Sequence, residues 1–171
     1  ADKEQVLLFR KCLGIENKIG RKLSGHTGER SGYRVQFGDV NYYRFLTSVG
    51  LTPAKSKTLG KIKVPDKYFA DFFRGCIDGD GNISIQKHPE SKHPQLRLRL
   101  TSASPPFLEW IHERLRSLLA IHGGWIENRS EMRAAVLTFA KAESIEILNF
   151  MYYPGVSSFL DRKKEKAYHF L

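Results

Sequence analysis

The chain has 171 residues, 41% of them hydrophobic and 27% charged, and no apolar run reaches the roughly eighteen residues needed to cross a bilayer. Twenty-eight Lys and Arg against eighteen Asp and Glu leave a net charge of +10 and a pI of 9.7, a balance typical of nucleic-acid binders. The opening Ala1-Asp2-Lys3-Glu4 is polar and shows no signal peptide, so an intracellular protein is expected. Cys12 and Cys76 lie far apart among apolar neighbours. They read as buried thiols in a reducing compartment, not as a disulfide or a zinc site.

In chain order, Val6, Phe9 and Leu13 share a helical face that ends at Gly14. Residues 19–23 and 33–37 read as paired strands around a loop containing Gly25, Gly28 and Gly32, and residues 41–49 as a helix. Leu51 to Lys57 is a basic turn. Pro65-Asp66 opens a helix over 66–78 with Phe69, Phe72, Phe73, Cys76 and Ile77 on one face, stopped by Gly79 and Gly81. Residues 82–86 and 95–101 alternate polar and apolar, and Pro89 and Pro94 mark the loop between two antiparallel strands with one wet face. After Pro105-Pro106 comes a helix with Phe107, Ile111, Leu115, Leu118 and Leu119 inward, ended by Gly123-Gly124. Short strands around Trp125-Ile126 and over 135–139 follow. A helix then carries Ile145, Leu148 and Met151, and a basic helix begins near Asp161.

This order repeats. Residues 61–171 form a full copy of the unit, and residues 1–60 form a copy that begins at the unit's second helix, with corresponding positions roughly a hundred residues apart. The basic turn at Lys55-Ser56-Lys57 stands in the place of Arg162-Lys163-Lys164. Two copies at so long a period predict pseudo-two-fold symmetry, not a solenoid.

The chemistry concentrates at Phe73-Arg74-Gly75-Cys76-Ile77-Asp78-Gly79-Asp80-Gly81. Gly75 and Gly79 lie one helical turn apart and leave a groove where a second backbone can approach closely. Two such helices side by side would bring two aspartates together, and paired carboxylates hold Mg²⁺ for phosphodiester hydrolysis. Asp78-x-Asp80-x-Asn82 also begins like a calcium loop, but Ile83 and Pro89 stand where that loop needs Gly and Glu. An ordinary turn between helix and strand is the plain alternative.

The nine residues resemble the LAGLIDADG motif of homing endonucleases: Gly75, Ile77, Asp78, Asp80 and Gly81 match, while Phe73, Arg74, Cys76 and Gly79 depart from it. The resemblance implies an α/β fold of αββαββα repeats, with antiparallel sheets in a saddle over DNA and helices behind. It implies site-specific, Mg²⁺-assisted cleavage of double-stranded DNA. It makes Asp80 the metal ligand and catalytic carboxylate, leaves Asp78 a supporting role, and places active-site lysines near Lys55 and Lys163. Ser104 corresponds to a variable polar residue beside the metal-bound water. The same scaffold serves intron maturases, so an RNA-binding or non-catalytic DNA-binding module is the alternative.

The polar face of the two strands after the motif presents Asn82, Ser84, Gln86, Gln95, Arg97, Arg99 and Thr101. These types match base edges in the major groove, which admits a two-stranded ribbon. A solvated sheet face is the bland reading; the lack of any acidic residue on this face argues against it. Arg34 and Gln36 are the counterparts in the first copy. His88, His93 and His112 read as loop or surface residues. A single motif helix with an apolar, glycine-notched face predicts a homodimer through Gly75 and Gly79, or else a monomer whose motif helix is covered in a non-standard way, and poor nuclease activity unless a dimer brings two Asp80 carboxylates to DNA.

Overall fold

A computed structural model describes residues 3–23, 30–87, 94–129 and 134–171. The expected hairpin loop with Pro89 and the loop with Gly25 and Gly28 lie outside these residues, as do His88 and His93. The elements run α1 (Lys3–Leu13), β1 (Ile19–Leu23), β2 (Arg30–Val35), α2 (Val40–Ser48), then α3 (Phe69–Asp80), β3 (Gly81–Gln86), β4 (Gln95–Ser102), α4 (Pro105–Leu119), β5 (Trp125–Arg129), β6 (Ala134–Phe139), α5 (Lys141–Met151) and α6 (Asp161–Ala167). From α3 to α5 the order is αββαββα. β1 and β2 form their own antiparallel pair, and the other four strands form one antiparallel sheet in the order β3-β4-β6-β5.

The sheet has two faces because side chains alternate along a strand. Leu96, Leu98 and Leu100 of β4 point to one side and are all but inaccessible, as is Ile83 of β3. Against them pack Phe69, Phe73 and Ile77 of α3, Leu108, Ile111 and Leu115 of α4, and Ile147, Leu148 and Met151 of α5. Each such side chain contributes about 1.5–3 kcal/mol by burial, so this layer supplies most of the driving force. Ser144 stitches helix to sheet: its hydroxyl donates to Phe139 O at 3.1 Å and accepts from Leu98 N at 3.1 Å.

Three details differ from the sequence reading. α3 does not stop at Gly79 but runs to Asp80, and the chain turns extended only at Gly81 (φ −92°, ψ 164°). A Cβ at Gly81 would lie 2.6 Å from Ile77 Cα, so only glycine allows the strand to leave the helix this tightly. Pro105 and Pro106 lie inside the first turn of α4, where a missing N–H costs nothing, and that helix ends at Ala120 in the left-handed region (φ 52°), before the Gly pair. Cys12 is exposed on α1 and Cys76 half-buried, which corrects the reading of two buried thiols: Cys12 lines the open groove between α1 and the Gly75 side of α3.

Arg74, the motif residue furthest in size from the family pattern, is buried. Its Nε donates to Ser158 O at 2.8 Å and its Nη1 to Met151 O at 2.8 Å, while Nη2 pairs with Asp71. It thereby takes up the last carbonyl of α5 and ties the segment after α5 to α3. The first 50 residues are less well packed. α2 buries no residue, and Val40, Tyr43 and Phe45 are exposed.

Candidate nucleic-acid interface and catalytic cleft

The end of α3 fixes two aspartates in opposite environments. Asp78 points inward at 4% exposure, and its Oδ2 accepts from Leu160 N at 3.2 Å. Its Oδ1 is buried without a hydrogen-bond partner. Burial pushes its carboxyl above the ordinary carboxylate range, against the pull of the Leu160 N–H and the charges of Lys163, Arg74 and Arg162. Asp80, two residues on, is exposed, and its carboxylate makes no hydrogen bond or ion pair among the described residues.

Lys163 explains how the end of the helix is held. It is 6% exposed, and its Nζ donates to Ile77 O and, at 2.8 Å, to Gly81 O. Ile77 O already accepts from the Gly81 N–H that closes α3, and Gly81 O opens β3, so the ammonium adds a second donor at the turn and ties helix end to strand start. Burial lowers the pKa of Lys163, with Arg162 adding to the effect and Asp78 and Asp80 opposing it. Its charge therefore serves the carbonyls of the motif turn at the end of α3.

Asp80 opens into a cleft of about 480 Å³ whose polar lining is Lys55, Ser56, Thr101 and Ser102. Lys55 enters from a short 3₁₀ turn, residues Lys55–Lys57, begun by Ala54 in the left-handed conformation (φ 56°). Ser104 anchors this connector: its hydroxyl is fully buried and donates to Leu59 O. Cys76, one turn before Asp80, also lines the cleft, and burial together with the Asp80 charge pushes its thiol up to about 12. It is a neutral wall of the cleft, not a nucleophile. Of the three expected site residues, the structure brings Asp80 and Lys55 to one cleft and places Lys163 under the motif turn.

The wet face of the four-stranded sheet follows from its register. Asn82 pairs with Arg99, Ser84 with Arg97 and Gln86 with Gln95, so these six and Thr101 stand on one face, as the alternation implied. Ser84 Oγ is buried without a hydrogen-bond partner. The register of β5 on β6 adds residues that alternation within single strands did not single out. Arg99 lies opposite Thr138, and Thr138 opposite Trp125. Trp125 and Glu127 therefore share the face with the arginines. Their own two-residue spacing was legible; the neighbour they join was not. Arg34 is exposed on β2, opposite Gly20, and Gln36 follows the strand, its carbonyl accepting from Asn17 Nδ2 at 3.1 Å. Arg34 belongs to the separate two-stranded sheet, whereas Gln36, expected on the strand over 33–37, lies just past its end at Val35. His112 is not a loop residue: it lies on α4 against Phe139, with Nε2 3.0 Å from Gly123 O.

The face that would take a second motif helix is a groove of about 530 Å³ beside Gly75, bounded by Gln5, Phe9 and Tyr153. A Cβ at Gly75 would meet nothing within 4 Å, whereas one at Gly79 would lie 3.3 Å from Gln5 Nε2. α1 thus reaches over the Gly79 end and leaves the Gly75 end open. Among the described residues no helix is long and apolar enough to cross a membrane.

No family model matches the chain, and no curated protein sequence does. Among solved structures it is similar to the group I intron-encoded homing endonuclease I-CeuI complexed with DNA, at 19% identity over 64% of this chain and 55% of that one, TM-score 0.46. It is also similar to the LAGLIDADG homing endonucleases I-LtrWI bound to target DNA (23% identity, 77% of this chain, 44% of that one, TM-score 0.44) and I-SmaMI bound to cleaved DNA (18%, 75%, 41%, TM-score 0.43). The chain spans about half the length of these structures or somewhat less. All three are named as homing endonucleases, and the latter two carry the LAGLIDADG name.

Proposed function

We propose that this chain is a DNA-reading unit of a homing-type endonuclease: the wet face of its sheet reads base edges, and Asp80 supplies a carboxylate for metal-assisted phosphodiester hydrolysis. The observation that carries this reading is the shared cleft. Asp80, Lys55 and Thr101 line it together, and Thr101 continues the same sheet face as Arg97 and Arg99. A duplex lying along that face has its backbone within reach of Asp80. The donor chemistry fits Mg²⁺, which binds through one or two carboxylates, waters and substrate phosphates. The cation, when bound, polarises the phosphodiester and makes water a better nucleophile. Lys55 offers a positive charge to the attacked phosphate, and Lys163 keeps the turn bearing Asp80 in place.

A binding-only role on DNA or RNA is the second reading, and one observation favours it. Among the described residues lining this cleft, Asp80 is the one carboxylate. Full activity on the nuclease reading needs a second carboxylate, which a homodimer through the Gly75 groove would bring. The test is Asp80→Asn assayed on supercoiled plasmid and on duplex fragments with Mg²⁺. The nuclease reading expects cleavage to disappear while duplex affinity stays within a few fold. Mg²⁺-dependent cleavage surviving in the variant would remove Asp80 from the chemistry, and wild-type binding without any cleavage would establish the second reading.

A further inference from the structure

On the wet face of the sheet one arginine is treated differently from its neighbours. The guanidinium of Arg97 lies 5.4 Å from the centre of the Trp125 ring, two strands away on β5. The indole Nε1 of Trp125 donates to Glu127 Oε1 at 2.6 Å, so the ring is itself held from its far edge. Trp125 is 38% exposed and is not part of the buried core. Among the described residues Arg97 has no carboxylate partner, so its N–H donors are not drawn into an ion pair. An arginine on an aromatic face keeps its charge and its planar fork while losing much of its freedom to swing. Among the described residues Arg99, two residues on, has no such platform; it lies opposite Thr138 of β6.

We infer that Trp125 is a positioning residue for base recognition: with Glu127 fixing its ring, it holds the Arg97 fork extended over the sheet to select a guanine at one base-pair position. The inference rests on the reading of this face as a DNA-reading surface and adds what that reading lacks, a difference in selectivity between two adjacent arginines. Guanine follows from the chemistry, since its O6 and N7 accept the two parallel donors of the fork. A fork already oriented loses less freedom on binding, so it discriminates more sharply than a mobile one. Position 97 should therefore be the better-specified of the two.

The experiment is selection from a pool of duplexes with a randomised segment, using the whole chain at low salt, followed by sequencing of what is retained. Wild type should yield a profile in which Arg97→Ala erases guanine preference at one base pair. Trp125→Leu should lower that same preference on the order of tenfold, within the range expected of one bidentate contact. Trp125→Phe, which keeps an aromatic face, should restore most of it. In an Arg97→Ala background, Trp125→Leu should change nothing further at that position. A wild-type profile retained by Trp125→Leu would overturn this inference alone, as would an equal loss of affinity for every duplex whether or not Arg97 is present. If wild type retains no duplex at all, the DNA-reading surface and this inference both fall.

Discussion

Replacing Lys163 with Met tests whether the end of the motif helix is held from behind. Methionine keeps the length and apolar stem of lysine but cannot donate to Ile77 O and Gly81 O. A hydrogen bond from a charged donor contributes about 1.5–3 kcal/mol, so two would suggest a loss of 3–6 kcal/mol. Part of this returns, because the variant no longer buries an ammonium. A net loss of about 2–4 kcal/mol remains, which for a chain this size corresponds to a fall in Tm of about 5–15 °C. Lys163→Arg, which keeps the charge and the donors, should lose less. Urea unfolding monitored by tryptophan fluorescence gives the difference directly. Should Lys163→Met prove as stable as wild type yet lose cleavage, the lysine would be acting on phosphate and the structural role assigned to it would be wrong.

The remaining predictions concern the buried aspartate and the groove. Asp78 has a folded pKa above its ordinary 3.8, so the folded state holds a proton that the unfolded chain has lost in the interval between the two values. The cost of its charge is absent below 3.8 and grows as pH rises through that interval. Relative to Asp78→Asn, wild type should therefore gain stability as pH falls from neutral towards 4; urea midpoints moving the other way would contradict the burial argument. Gly75→Leu fills the open end of the groove beside α3. On the dimer proposal, sedimentation at micromolar concentration should show wild type as a dimer and the variant as a monomer, and a wild-type monomer unchanged by Gly75→Leu would exclude the groove as an association face.

Much of residues 61–171 was legible from local pattern. The alternation over 82–86 and 95–101 is a property of single strands, and the register then places Asn82, Ser84, Gln86, Gln95, Arg97 and Arg99 on one face. The helix carrying Asp80 was visible from its apolar spacing, although glycine inside a helix looked like its end. What local pattern does not carry is the meeting of distant segments. Lys163 reads as part of a solvated basic run until α6 is placed under α3. Arg74 reads as an intruder until Met151 and Ser158 supply its acceptors. Trp125 joins Arg97 only through the crossover that sets β6 between β4 and β5. In the first 50 residues, Phe9, which shares a helical face with Val6 and Leu13, is left exposed.

The measurement closest to the central claim is duplex binding by fluorescence anisotropy across a salt series, for wild type and for Arg97→Ala with Arg99→Ala. A chain of net charge +10 that lies on the DNA backbone releases counterions, so log affinity should fall linearly with log salt, with a slope of about −0.9 per phosphate neutralised. A steep slope is expected for wild type. The double variant should keep nearly the same slope but bind the preferred duplex more weakly, because the two arginines read bases. Weak binding that does not respond to salt, or a double variant whose slope flattens while its sequence preference stays intact, would contradict the claim that this sheet reads DNA.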